Sequence, residues 1–102
     1  SRNGVAVLAS FVSPYKQTRD NIRTEVTNFI EIYVYAPTEE CIKRDVKGMW
    51  LKAKRGEIKG FTGYDAPYEP PVNPEIEVDT QRETIKQSAN KVIKYLRWRK
   101  LI

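Results

Sequence analysis

The stretch from residue 4 to residue 12 constrains this chain most. Gly4, Val5, Ala6, Val7, Leu8, Ala9, Ser10, Phe11 and Val12 form a near-continuous apolar run, closed by Ser13-Pro14. Such a run suits a strand buried on both faces, as in a parallel sheet covered by helices. Ser13 is a good N-cap and Pro14 a good first helical residue, so a helix is expected over residues 14–26. Ile22 and Val26 lie four apart on its expected buried side. Phe29-Ile30-Glu31-Ile32-Tyr33-Val34-Tyr35 is aromatic and β-branched, which predicts a second strand. Ala36-Pro37-Thr38-Glu39-Glu40 then sets a proline and two acids where a first helical turn prefers them. That helix should turn Cys41 and Ile42 inward.

From Gly48 to Pro74 the pattern changes. Gly48, Gly56, Gly60 and Gly63 punctuate a basic segment, and Pro67, Pro70, Pro71 and Pro74 punctuate the next. This predicts a lid or binding excursion at about residues 47–74, with at most a short helix near residues 46–55. Glu75-Ile76-Glu77-Val78-Asp79 alternates as a third strand. Thr80 is expected to open the last helix, with Ile85, Ala89, Val92, Ile93 and Leu96 as its apolar stripe. The order β-α-β-α-lid-β-α argues for an α/β fold, a parallel sheet flanked by helices. Residues 1–102 read as a single partial domain. A doubly buried strand this early suggests two further strands and their helices upstream.

Composition narrows the chemistry. Over 102 residues, 40% apolar and 30% charged, a core is possible but thin. There is no histidine, which removes the usual zinc sites and the Ser-His and Cys-His nucleophile pairs. One cysteine, Cys41, excludes an internal disulfide and suits a reducing compartment, where it fills core space. No apolar run approaches the roughly 20 residues of a membrane span, and no signal peptide is visible, so the chain reads as cytoplasmic.

The formal charge of +5 is concentrated in two clusters. Lys43, Arg44, Lys47, Lys52, Lys54, Arg55 and Lys59 form one, and Arg82, Lys86, Lys91, Lys94, Arg97, Arg99 and Lys100 the other. Anionic partners follow: nucleotide phosphates, nucleic acid or an acidic surface. The first cluster is interleaved with glycines, as a mobile cationic flap for phosphoryl transfer would be; an ordinary solvated face is the alternative. In Lys59-Gly60-Phe61-Thr62-Gly63 an aromatic ring on a pliable backbone is suited to stacking on a base, the alternative being a core phenylalanine in a turn. Ser13-Pro14-Tyr15-Lys16 sits where open α/β sheets bind ligands, with helix N–H groups available to anions; Ser13 as a simple cap is the competing reading. Trp50 is read as packing the lid. Arg97-Trp98-Arg99-Lys100 is read as complementing a helix dipole.

At these residues the chain resembles the adenylylsulfate kinase family. The resemblance is carried by Phe11-Val12-Ser13-Pro14-Tyr15, by Ala36-Pro37 with Cys41, and by Arg44-Asp45-Val46-Lys47-Gly48. It continues from Ala53-Lys54-Arg55-Gly56-Glu57-Ile58 through Lys59-Gly60-Phe61-Thr62-Gly63 to Asp65-Ala66-Pro67-Tyr68-Glu69 and Pro74-Glu75. The resemblance implies the C-terminal part of a P-loop kinase fold. It implies transfer of the ATP γ-phosphoryl group to the 3′-hydroxyl of adenylylsulfate, with Mg²⁺ held by the family's N-terminal half. Val12, Ser13, Lys47, Gly60, Phe61 and Thr62 fall at substrate positions, Phe61 stacking on the adenine. Ser13 matches a family phosphoserine position, a candidate catalytic role. Direct transfer needs no covalent intermediate, so Ser13 is read as lining the ligand. Arg44, Lys54 and Lys59 are candidate phosphate-facing cations, followed by Arg19 and Arg23.

The chain departs from the family at Lys16, where arginine is common, at Tyr35, usually acidic, and at Trp50, usually tyrosine. It contains no Gly-x-x-x-x-Gly-Lys-Ser/Thr loop and no Asp-Gly-Asp segment. The expected partners are ATP and adenylylsulfate, without membrane or nucleic acid. Pairing is expected with a second copy or with a P-loop half, and the fragment is expected to be inactive alone. The alternatives are a non-catalytic nucleotide-binding module and a basic nucleic-acid-binding domain.

Overall fold

A computed structural model of the chain describes residues 6–45 and 47–102. The elements run α1 (Lys16–Glu25), β1 (Ile32–Tyr35), α2 (Thr38–Arg44), α3 (Met49–Lys54), β2 (Ile76–Asp79) and α4 (Ile85–Trp98). Two compact units share them. One holds β1, β2 and α4; the other holds α1, α2 and α3.

In the first unit the two strands pair in parallel, Ile32 with Ile76 and Tyr35 with Asp79, the orientation expected of an α/β fold. The ladder begins at Ile32 and Ile76, inside the predicted starts at Phe29 and Glu75, and runs to the predicted ends at Tyr35 and Asp79. The Glu75 carboxylate accepts the Glu31 N–H at 2.6 Å. Beyond the other end, the Thr80 N–H and hydroxyl both donate to the Tyr35 carbonyl, at 2.8 and 2.9 Å. Alternation on β2 turns Ile76 and Val78 inward, 4% and 3% exposed, and leaves Glu77 out. Helix α4 packs on this strand. Lys91 spans the two, donating to the Glu77 carbonyl at 3.0 Å and to the Glu83 carboxylate at 2.7 Å. Hydrogen bonds from Lys91 and Ser88 hold the Glu83 carboxyl below its ordinary pKa.

Helix α4 starts later than Thr80. Thr84 is its N-cap in a full capping box: its Oγ1 accepts from the Gln87 N–H at 3.1 Å, and the Gln87 Oε1 accepts from the Thr84 N–H at 2.8 Å. Thr84→Ala should therefore destabilise the chain by about 1 kcal/mol, read as a lowered thermal midpoint. The buried side of α4 also differs from the expected stripe. Val92 and Leu96 are half-buried with Ser88 and Tyr95, whereas Ile85 is 91% exposed and Ala89 and Ile93 are exposed. Helical period shows which residues share a face, but the facing strand chooses which edge of that face is covered.

The early apolar run behaves differently from expectation. Gly4 and Val5 lie outside the described residues, and residues 6–12 form no strand. Val7, Leu8 and Phe11 are more than four-fifths exposed. A strand exists through its ladder, and no described strand pairs with these residues. An apolar run encodes the capacity to be buried; it does not supply the partner. No helix among the described residues is long and apolar enough to cross a membrane.

Candidate functional site

The second unit, Ser13–Phe29 and Ala36–Val72, contains every expected site residue except Val12. Val12 is exposed. Two constellations organise the unit.

The first lies at the start of α1. Helix formation begins at Lys16, two residues after Pro14, with Tyr15 as N-cap and no cap from its side chain. Ser13 is therefore not the cap; its backbone has φ +42°, in the left-handed region. The carboxylate of Glu69, 53 residues away, takes the capping role by accepting the Lys16 N–H at 2.8 Å. The Glu69 N–H donates in return to the Pro14 carbonyl at 2.8 Å. An N–H group expected to be available to an anion is thus occupied by a side chain of the same chain. Arg19 completes the arrangement and is the buried residue of α1, 8% exposed. Its Nη1 donates to the Ser13 carbonyl at 2.5 Å, its Nη2 donates to the Glu69 carbonyl, and its guanidinium lies 5.6 Å from the centre of the Tyr68 ring. Ile22 and Val26, expected to be buried, are exposed. A planar guanidinium can bond two carbonyls at once and lie against a ring, which an aliphatic side chain cannot. Lys16 ion-pairs with Asp20 at 2.6 Å, one turn on. An open concavity runs beside this turn, lined by Tyr15, Lys16, Asp20, Asn21 and Glu69 among others.

The second constellation is the glycine-punctuated excursion. Helix α2 begins at Thr38 as the Pro37-Thr38-Glu39-Glu40 pattern predicts, with Cys41 half-buried. Ile42, expected to face inward, is 49% exposed. Arg44 pairs through Nε with Glu40 at 3.1 Å, so its charge is partly answered within its own helix. Asp45 then does what the sequence did not signal. Its carboxylate accepts the N–H groups of Trp50 (2.9 Å) and Leu51 (3.2 Å), capping α3 from upstream. The chain reaches that position through Gly48 at φ +66°. Val46 lies outside the described residues. The short helix expected over residues 46–55 is present as α3, and Ala53 is its buried residue, 4% exposed.

Past α3 the chain folds into a tight turn around Phe61. The Asp65 carboxylate accepts the Gly60 N–H at 2.8 Å and the Phe61 N–H at 2.5 Å. The Phe61 carbonyl accepts from the N–H groups of Tyr64, Asp65 and Ala66, at 3.0 to 3.2 Å. The Phe61 ring meets the Trp50 ring nearly at right angles, 85°, with centroids 4.9 Å apart. Gly63 fits beneath Trp50: a Cβ there would lie 2.9 Å from Cη2, and φ is +91°. The basic residues Lys47, Lys54 and Lys59 are exposed around these elements. Thr62 is half-buried and bridges to Ala66. The structure thus brings Gly60, Phe61 and Trp50 together, and it brings Ser13 together with Arg19. Sequence reasoning missed Asp45, Asp65 and Glu69 as organisers. Only Asp65 had a legible signal, an acid five residues after a glycine whose amide it accepts.

The model of the adenylylsulphate kinase family matches residues 1–79, which contain both constellations. The chain belongs to this family. A probable adenylyl-sulfate kinase of Pseudomonas aeruginosa is 57% identical over 94 residues, covering 92% of this chain and 44% of that protein. The adenylyl-sulfate kinase of Rippkaea orientalis is 52% identical over 101 residues, covering 99% and 53%. The solved structure of the Mycobacterium tuberculosis APS kinase in complex with AMPPNP and APS superposes with a TM-score of 0.75 at 35% identity. That superposition covers 83% of this chain and 51% of the other. The chain thus spans about half the length of the adenylylsulfate kinases it matches. The described residues include no group of three or more His, Cys, Asp or Glu side chains that could hold a metal ion.

Proposed function

We propose that this chain is the substrate-binding and lid portion of an adenylylsulfate kinase, which transfers the γ-phosphoryl group of ATP to the 3′-hydroxyl of adenylylsulfate. The observation that carries this reading is the Phe61 turn: an aromatic ring is held on a closed backbone, within a basic excursion, in a chain of this family. Stacking on an adenine needs a ring whose orientation is set before the ligand arrives, and the contacts to Trp50 and Asp65 supply that. The relative from Mycobacterium tuberculosis, described in complex with AMPPNP and APS, supports nucleotide ligands of this type.

In this reading Val12, Ser13, Lys47, Gly60, Phe61 and Thr62 line adenylylsulfate. Lys54 and Lys59 offer charge to phosphate oxygens, and Arg44 does so while shared with Glu40. Phosphoryl transfer asks the protein mostly for positioning and charge stabilisation. The residues of this chain provide an aromatic platform, cations and a held Ser13 turn. Without a Gly-x-x-x-x-Gly-Lys-Ser/Thr loop, they provide no backbone cradle for the ATP phosphates. The chain is therefore expected to act only when joined to a segment that carries one, or as one partner of a pair.

The test is made with the chain joined to the part of the Rippkaea orientalis relative that it does not match. The joined protein should form 3′-phosphoadenylylsulfate from ATP and adenylylsulfate, and the 102-residue chain alone should not. In the joined protein, Phe61→Ala should raise the adenylylsulfate KM by about 5- to 150-fold, the equivalent of roughly 1–3 kcal/mol of lost stacking. A joined protein that folds but shows no turnover sinks the proposal.

A further inference from the structure

We infer that Asp65 is a positioning residue for Phe61: its carboxylate closes the turn that presents the ring, and Trp50 sets the ring's inclination. The inference rests on the reading of Phe61 as the adenine platform and goes beyond it by assigning the parts that hold the platform. Asp65 captures two successive N–H groups, at 2.8 and 2.5 Å, one on each side of the Gly60 Cα. The Phe61 carbonyl is engaged by the three N–H groups of residues 64–66. Both peptide groups flanking Phe61 are therefore tied to one short segment. Gly60 has φ +70° and Gly63 φ +91°, so without those bonds this stretch would be among the most pliable in the chain.

The side chain is restrained separately. The Trp50 ring, 4.9 Å away and nearly perpendicular, limits the Phe61 ring to an edge-to-face arrangement. Trp50 is itself fixed from its backbone, where its N–H is held by Asp45 at 2.9 Å, and over Gly63 on the other side. None of the bonds that close the turn uses the Phe61 side chain. The turn would close around any residue at position 61, so what it adds is a fixed ring. Ordering a loop at the moment of binding weakens affinity, and a loop ordered beforehand avoids that loss. Asp65 therefore acts on substrate affinity through Phe61.

The experiment is a double-mutant cycle in the joined protein that tests the function. Asp65→Ala should raise the adenylylsulfate KM about tenfold with kcat changed by less than about threefold, and Asp65→Asn, which keeps one acceptor oxygen, should raise it less. Phe61→Ala combined with Asp65→Ala should be no worse than Phe61→Ala alone, because the two changes remove the same platform. Amide hydrogen exchange on Asp65→Asn, the variant least apt to disturb folding, should show Gly60 and Phe61 exchanging faster than in the unaltered protein. A purely structural Asp65 would instead lower apparent kcat at constant KM and add to the Phe61→Ala effect, and either result overturns the inference while the functional reading stands. An unchanged KM in Phe61→Ala overturns the platform reading, and this inference falls with it.

Discussion

Replacing Arg19 by alanine is expected to destabilise the helical unit by about 2–4 kcal/mol, among the largest effects of any single truncation there. Arg19 is 8% exposed and donates to the carbonyls of Ser13 and Glu69 while lying against Tyr68. Hydrogen bonds from a charged donor contribute about 1.5–3 kcal/mol each, and part of that is recovered when water reaches the freed carbonyls. Arg19→Lys should recover only a fraction, since an ammonium lacks the planar fork that spans both acceptors. Trp50 lies in this unit and Trp98 in the other, so Trp98→Phe leaves fluorescence that reports the helical unit alone. A urea titration in that background measures the midpoint. An unmoved midpoint in Arg19→Ala would mean that water replaces the guanidinium without cost. On the proposed reading of Ser13 as lining adenylylsulfate, losing the bond from Arg19 to its carbonyl should also lower substrate affinity at temperatures where the variant stays folded.

The second large effect is expected in the sheet unit. Val78→Asp should abolish its cooperative folding, whereas Val78→Ala should cost about 2–3 kcal/mol and leave it folded. Val78 is 3% exposed and shares the buried face of β2 with Ile76. A carboxylate placed there must either stay charged in an apolar site or take up a proton; both cost several kcal/mol. Domains are stable by only about 5–15 kcal/mol in total, and a unit with so thin a core lies at the low end. Near-UV circular dichroism of Tyr33 and Tyr35, whose rings meet at 5.8 Å on the neighbouring strand, reads the outcome. Retention of that signal in Val78→Asp would show that the core tolerates solvent.

Much of the architecture was legible in residue order. The alternation of Ile76, Glu77, Val78 and Asp79 marks a strand because side chains alternate across a pleat. Pro37 followed by Thr38, Glu39 and Glu40 marks a helix start because that turn lacks N–H partners and carries positive potential. Glycines at 48, 60 and 63 mark turns because each has a positive φ that other residues resist. Phe61 stands out as a candidate for the same reason, being the ring set among those glycines. The errors of burial share one cause. Ile22, Ile42 and Ile85 sit at helical spacing on plausible inner faces, yet all three are exposed. A pattern ranks faces by hydrophobicity, but burial depends on what is packed opposite.

By itself the sequence determined the parallel α/β character and the family to which the chain belongs. These rest on local periodicity and on residue strings read directly. Only the tertiary structure decided which groups hold the candidate site residues: Glu69 capping a helix 53 residues away, Arg19 gripping Ser13, and Asp65 closing the turn at Phe61. A carboxylate or guanidinium bonds whatever donor or acceptor the fold brings within about 3 Å, and that distance is set in space, not along the chain.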